Sequence, residues 1–142
     1  LRFAYLFLIT DLGSRKIVGW HLSESLAADG ALKALALCKK ALKDTEGVIH
    51  HSDRGIQYCC GRYVDRIANY KMKVSMTEEN HCYENAVAER VNGILKNEYA
   101  LGKALPSSLK QVNKIVADSI RRYNSERKHW SLGLRTPDEV FN

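Results

Sequence analysis

Two acidic residues stand where a carboxylate could do chemistry. Asp53 lies in the run His50-His51-Ser52-Asp53-Arg54-Gly55-Ile56-Gln57-Tyr58, directly after a short apolar stretch at Val48 and Ile49. Loops at the carboxyl ends of strands are where α/β sheets hold ligands, so Asp53 is a candidate acid; a turn or helix N-cap is the other ordinary use of an Asp there. Glu89 belongs to a helix expected over roughly 84–99. At about 100° per residue, Asn85, Glu89, Asn92 and Lys96 share a stripe about 60° wide, while Val87, Val91, Ile94 and Leu95 take the opposite side. Glu89 is thus a candidate acid on a polar face, the alternative being a solvated helix side. Glu84 and Glu98 project toward the apolar side or its flank and are not expected to share a site with Glu89. His50 and His51 could bind metal, but neighbours on a strand point to opposite faces. At most one of them faces a site, and a packing role suits either.

These residues depend on a small set of elements. Leu1–Thr10 is a continuous apolar stretch, as expected of a strand buried on both faces, and Asp11-Leu12-Gly13-Ser14 supplies the turn into a return strand at Lys16–Leu22. Ala27–Leu42 reads as a helix with Leu32, Leu35, Ala36, Lys39 and Leu42 on one stripe, Lys39 snorkelling at its margin. A strand at 48–51 follows, then a helix over 63–70 with Tyr63, Val64, Ile67 and Ala68 inward, and a brief strand at 74–76. Two longer helices close the chain. The first carries Glu89, after a polar loop at 77–81. The second, about 108–126, should open on a capping box of Ser108 and Gln111, with Leu109, Val112, Val116, Ile120 and Tyr123 as its stripe. The order β-β-α-β-α-β-α-α is that of a mixed α/β layer fold on one core.

Composition narrows the function classes. The 142 residues, 45% hydrophobic and 27% charged, fit one soluble domain (1–142) and exclude disorder. The longest apolar run, Phe3–Ile9, is far short of a membrane span. No leader is visible and the chain opens on Leu1, so it reads as a segment of something longer, cytoplasmic and without a membrane partner. Its four cysteines, with Cys59 and Cys60 adjacent, match no zinc spacing and read as buried thiols in a reducing compartment. Of the net charge of +6, residues 1–89 hold +1 and residues 90–142 hold +5. Arg121, Arg122, Arg127, Lys128 and His129 cluster in a basic C-terminal helix and tail (about 107–142), which points to an anionic partner, most economically nucleic acid.

Thirty-five residues separate Asp53 from Glu89, and Lys96 follows Glu89 by seven. This pattern resembles the catalytic core shared by retroviral integrases and the DDE transposases of bacterial insertion sequences. His51-Ser52-Asp53-Arg54-Gly55 with Gln57-Tyr58 looks like the family's second-acid motif. Asn85-Ala86, Glu89 and Leu95-Lys96 with Glu98 look like its third-acid motif. Tyr123-Asn124, Arg127, His129, Leu132-Gly133 and Thr136-Pro137 look like its terminal signature, and Asp11, Ser14-Arg15 and Val18-Gly19-Trp20 match its first hairpin. Lys128 stands where Pro is usual, and Glu84 where Asp is usual.

The resemblance implies a ribonuclease H-like mixed sheet flanked by helices, and metal-dependent cleavage and transfer of DNA strands at insertion-sequence ends. Asp53 and Glu89 would each complete the shell of one of two Mg²⁺ or Mn²⁺ ions. Lys96 would contact DNA near the cut, Asn85 and Asn92 would position DNA or water, and Arg121, Arg122, Arg127 and Lys128 would grip backbone phosphates. Double-stranded DNA and further copies of the chain are the implied partners. The family's first catalytic Asp precedes the Leu1–Thr10 strand, so the first strand is expected to be missing and the segment alone to be inactive. Asp11 sits at the family's non-catalytic turn position. A non-catalytic DNA-binding or oligomerisation fragment is the alternative, and the terminal signature argues against a plain ribonuclease H-type nuclease.

Overall fold

The computed structural model describes residues 4–52, 56–76, 86–99, 101, 106 and 108–141. They fall into two compact units, one comprising Leu1–Ala4, Thr10–Ile17 and Val87–Asn142, the other Tyr5–Ile9 and Val18–Ala86.

In the second unit β1 (Tyr5–Thr10) pairs with β2 (Ile17–Ser23), and β3 (Ile49–Ser52) pairs in parallel with β4 (Lys73–Met76), placing His50 opposite Val74 and Ser52 opposite Met76. Three helices accompany them: α1 (Ala28–Leu42), α2 (Ile56–Cys59) and α3 (Gly61–Asn69). Phe7, Ala31, Ala34, Leu35, Tyr63, Ile67 and Met72 form the core. The short α2 lies between the strand expected at 48–51 and the helix expected over 63–70, where no element is expected.

The inward face of α1 differs from the expected one. Gly30, Ala31, Ala34, Leu35 and Cys38 are buried, Leu32 is half-buried, and Ala36 is exposed. The physical reason lies in β2. A β-carbon on Gly19 would sit 2.2 Å from the Ala34 carbonyl oxygen and 3.1 Å from the Cys38 β-carbon, so helix and strand backbones nearly touch. Only the small-residue side of α1 fits so close an approach; Leu35 stays in the core as expected, while Leu32 and Leu42 are half-buried. On α3, Tyr63 and Ile67 are buried as expected, whereas Val64 is half-buried and Ala68 exposed. The thiols differ too: Cys38 is buried, Cys59 exposed, Cys60 intermediate, and Cys82 lies outside the described residues.

The other unit contains α4 (Ala86–Glu98), α5 (Leu109–Glu126), a 3₁₀ turn at Trp130–Leu132 and α6 (Pro137–Phe141). The expected stripe of α5 is present from Val112 onward, with Val112, Val116, Ile120 and Tyr123 buried and Ser119 and Asn124 beside them, while Leu109 is half-buried. The expected capping box is not. Ser108 occupies the N-cap with extended backbone but makes no side-chain capping bond. A reciprocal box forms instead at α6. The Thr136 N–H donates to Glu139 Oε1 at 3.2 Å, and the Glu139 N–H donates to Thr136 Oγ1 at 3.3 Å. Pro137 then fills the first helical position, where a missing N–H costs nothing.

Candidate functional site

Helix α4 displays its polar stripe as expected. Glu89, Asn92 and Lys96 are exposed, while Val91, Ile94 and Leu95 are buried. Asp53 and Asn85 lie outside the described residues. Strand β3 ends at Ser52, so Asp53 follows a strand's carboxyl end in sequence.

The two histidines before it point to opposite faces, and each has one ring nitrogen at a hydroxyl. His50 is buried, with Nε2 2.7 Å from the Tyr63 hydroxyl and its ring edge-on to Tyr63; burial holds its imidazole below the usual range, hence neutral. His51 is exposed, with Nδ1 2.9 Å from Ser75 Oγ. Asp11 performs turn chemistry: its Oδ2 accepts the Ser14 N–H at 2.9 Å and the Ser14 hydroxyl at 2.6 Å. Among the described residues, no group of three or more His, Cys, Asp or Glu side chains is placed to hold a metal.

An open depression runs along α4, lined by Glu89, Arg90, Gly93, Ile94, Asn97 and Glu98. Helical phase places Glu89 and Glu98 on opposite sides, yet both border this depression, because its lining spans about half the helix circumference between them. Glu98 does not stand alone there. Arg127 Nη2 donates to Glu98 Oε1 at 2.9 Å and Arg127 Nε donates to Oε2. This pairing holds the Glu98 carboxyl below the usual carboxylate range.

The basic cluster is also more neutralised than the sequence suggests. Arg121 Nη2 lies 2.8 Å from Asp118 Oδ1, and Arg122 Nε lies 3.4 Å from Glu126 Oε2. The Arg122 guanidinium sits 5.5 Å over the Tyr99 ring. Lys128 is exposed, and the fork of Arg127 is committed to Glu98. All are on or next to α5, whose end is fastened to the hairpin tip. The Tyr123 hydroxyl donates to the Arg15 carbonyl at 2.7 Å, and the Asn124 amide brackets Ile17. His129 is buried edge-on to Tyr123, and burial together with Arg127 holds it below its usual pKa. The sequence marks Tyr123 and Asn124 as a motif but not as a clamp. The available signal was a polar Asn continuing an apolar helix stripe.

No helix among the described residues is long and apolar enough to cross a membrane. Two family models, each described as integrase core domain, match residues 1–82 and 70–137. The transposase InsF for insertion sequence IS3A of Escherichia coli K12 is 32% identical over 142 residues, covering 97% of this chain and 48% of InsF. The chain spans about half the length of the curated relatives it matches. Among solved structures, the simian T-cell lymphotropic virus intasome in complex with a PP2A regulatory subunit superposes with a TM-score of 0.77 at 13% identity, over 96% of this chain and 48% of that one. The HTLV-2 integrase catalytic core domain in complex with magnesium superposes with a TM-score of 0.69 at 15% identity, over 94% and 81%. The fold is that of the retroviral integrase catalytic cores, the ribonuclease H-like architecture expected from sequence.

Proposed function

Because this chain belongs to the integrase core domain family, we propose that its gene product cuts and joins DNA strands at the ends of an insertion sequence. The observation that carries this reading is the exposed stripe of α4, with Glu89, Asn92 and Lys96 facing solvent on a helix that buries its other side. It stands at the expected thirty-five-residue separation from Asp53.

Asp53 and Glu89 are the proposed metal-binding carboxylates. As hard oxygen donors they suit Mg²⁺ or Mn²⁺. The nearby imidazoles do not compete: His50 is bonded to Tyr63 and His51 to Ser75. When bound, a pair of such ions activates an oxygen nucleophile and stabilises the leaving oxygen of an in-line displacement at phosphorus. That a related integrase core carries magnesium supports this choice of ion.

The remaining work falls to the chain's own side chains. Lys96, on the Glu89 stripe, presents an ammonium to a DNA phosphate near the reacting one. Asn85 and Asn92 offer neutral donors and acceptors that orient DNA or water without adding charge. Arg121, Arg122 and Lys128 grip the duplex backbone, the arginines exchanging Asp118 and Glu126 for phosphate. Arg127 belongs to this basic set by sequence, but its fork already holds Glu98. Double-stranded DNA is the proposed substrate and partner, handled by more than one copy of the protein, since both ends of an element must be held together.

The test uses the complete gene product and duplex oligonucleotides copied from the ends of its element. Mg²⁺- or Mn²⁺-dependent nicking and joining, stopped by chelation, is the expected result. DNA binding with no metal-dependent strand breakage would contradict the catalytic reading and favour a binding fragment.

A further inference from the structure

The helix that carries Glu89 is held unevenly. Its buried residues are Val91, Ile94 and Leu95, whereas Ala86, Ala88, Glu89 and Arg90 are exposed and Val87 is half-buried. Three apolar side chains in mid-helix give burial energy but little direction, because hydrophobic contact is not directional. They fix which side of α4 faces inward, and a directional contact adds a finer constraint on its rotation and height.

The ion pair at its end is directional. Arg127 meets Glu98 with two parallel bonds, Nη2 to Oε1 at 2.9 Å and Nε to Oε2, so the planes of guanidinium and carboxylate are fixed as well as their separation. The Arg127 side chain is 18% exposed. It is also anchored: its backbone N–H closes α5 on the Arg122 carbonyl at 3.3 Å, and Nη1 donates to the Lys128 carbonyl at 3.3 Å. The last turn of α5 is itself pinned to the hairpin tip through Tyr123 and Asn124.

We propose that Arg127 and Glu98 are positioning residues for the reaction: their fork sets the rotation and axial height of α4, and so the direction in which Glu89 and Lys96 point. This inference rests on the reading of Glu89 as a metal-binding acid. Glu98 is nine residues beyond Glu89, about 13.5 Å along the helix, and two beyond Lys96. It lies off the stripe that carries Glu89 and Lys96, so the role proposed for it is positional. A half-exposed pair of this kind adds little stability, about 1 kcal/mol or less. Displacing a catalytic group by about 1 Å can cost on the order of 10²-fold in rate. Activity is therefore expected to respond far more than folding.

The experiment compares Arg127→Lys, Glu98→Gln and their double variant in the complete gene product. Arg127→Lys keeps the charge and loses the fork; Glu98→Gln is isosteric and guards against a variant that fails to fold. Three quantities are read: single-turnover strand transfer, Mn²⁺ affinity by calorimetry on the DNA complex, and melting temperature. Each single variant should lose roughly tenfold or more in rate, bind Mn²⁺ several-fold more weakly, and melt within a few degrees of the parent. The double variant should be no slower than the slower single one, because both act through one contact. Wild-type rates in the single variants, losses that merely follow the melting temperature, or losses that multiply in the double variant would each overturn the inference. Glu89→Gln separates the two claims. Retained activity in Glu89→Gln overturns the reading of Glu89 and the positioning role with it. An inactive Glu89→Gln beside a fully active Arg127→Lys overturns the positioning role alone.

Discussion

The Asn124 side chain satisfies both backbone groups of Ile17 at once, Oδ1 accepting its N–H at 2.9 Å and Nδ2 donating to its carbonyl at 3.0 Å. An amide that mimics a paired strand in this way ties α5 to the hairpin tip across 107 residues of chain. Asn124 is buried, so water cannot replace the lost partner. Asn124→Ala should cost about 2–4 kcal/mol, two buried backbone groups each losing a bond. Asn124→Asp should also destabilise, because its second oxygen meets the Ile17 carbonyl where a donor is required. Urea unfolding measures both. A loss below about 0.5 kcal/mol for Asn124→Ala would remove the clamp from the account.

Gly19 is a second rigid constraint. Its absent β-carbon is what lets Ala34 and Cys38 of α1 approach β2. Gly19→Ala should push the helix away and destabilise by about 3 kcal/mol or more, an overpacking against backbone that no rotamer change relieves. Soluble expression and melting temperature report it. A variant as stable as the parent would show that the two backbones are not so closely apposed.

How much of this was legible in the sequence depends on the element. The α4 and α5 stripes were readable because long helices with one apolar side leave a strong period in the chain. The face of α1 was legible only at Leu35, since small residues at Ala34 and Cys38 carry a weak hydrophobic signal, and their burial follows from a contact with Gly19 that local periodicity does not contain. The Thr136–Glu139 box had a usable signal, Thr-Pro-x-Glu, whereas Ser108 and Gln111 had the residue types without the bonds. Glu98, expected not to share a site with Glu89, is exposed and borders the same depression. Its partner Arg127 was hidden by twenty-eight intervening residues, and no spacing rule links them. Asp53 and Glu89 were singled out by motif and separation, and their role as metal-binding acids is the proposal tested below.

Buried neutral histidines give a defined pH dependence. His50 and His129 both have imidazoles held below the usual pKa, in each case by burial first, and for His129 next by Arg127, Arg15 and Arg90 against the opposing pull of Glu98. The folded state resists protonation, so below about pH 6.5 the unfolded chain binds more protons and stability falls with falling pH. The urea midpoint should therefore be lower near pH 5.5 than near pH 7.5, and His129→Gln should shrink the difference. A midpoint that rises on acidification would have the wrong sign for this explanation.

For the basic helix the discriminating quantity is the salt slope of DNA binding. Arg121→Ala with Arg122→Ala should weaken binding to all duplexes alike and flatten log Kd against log salt by up to about two units, less to the extent that Asp118 and Glu126 already neutralise them. Fluorescence anisotropy across a salt series measures this. An unaltered slope would take both arginines out of the interface.

The central claim is that Asp53 and Glu89 are metal-binding carboxylates, and single-turnover strand transfer with Mn²⁺ tests it most directly. Asp53→Asn and Glu89→Gln, each made in the complete gene product, keep side-chain shape and remove one charge. Each should lower the rate by roughly 10²–10³-fold or more while DNA affinity stays near that of the parent, and Glu24→Gln, an exposed acid elsewhere, should leave the rate unchanged. Strand transfer by Glu89→Gln or Asp53→Asn within a few-fold of the parent would contradict the assignment.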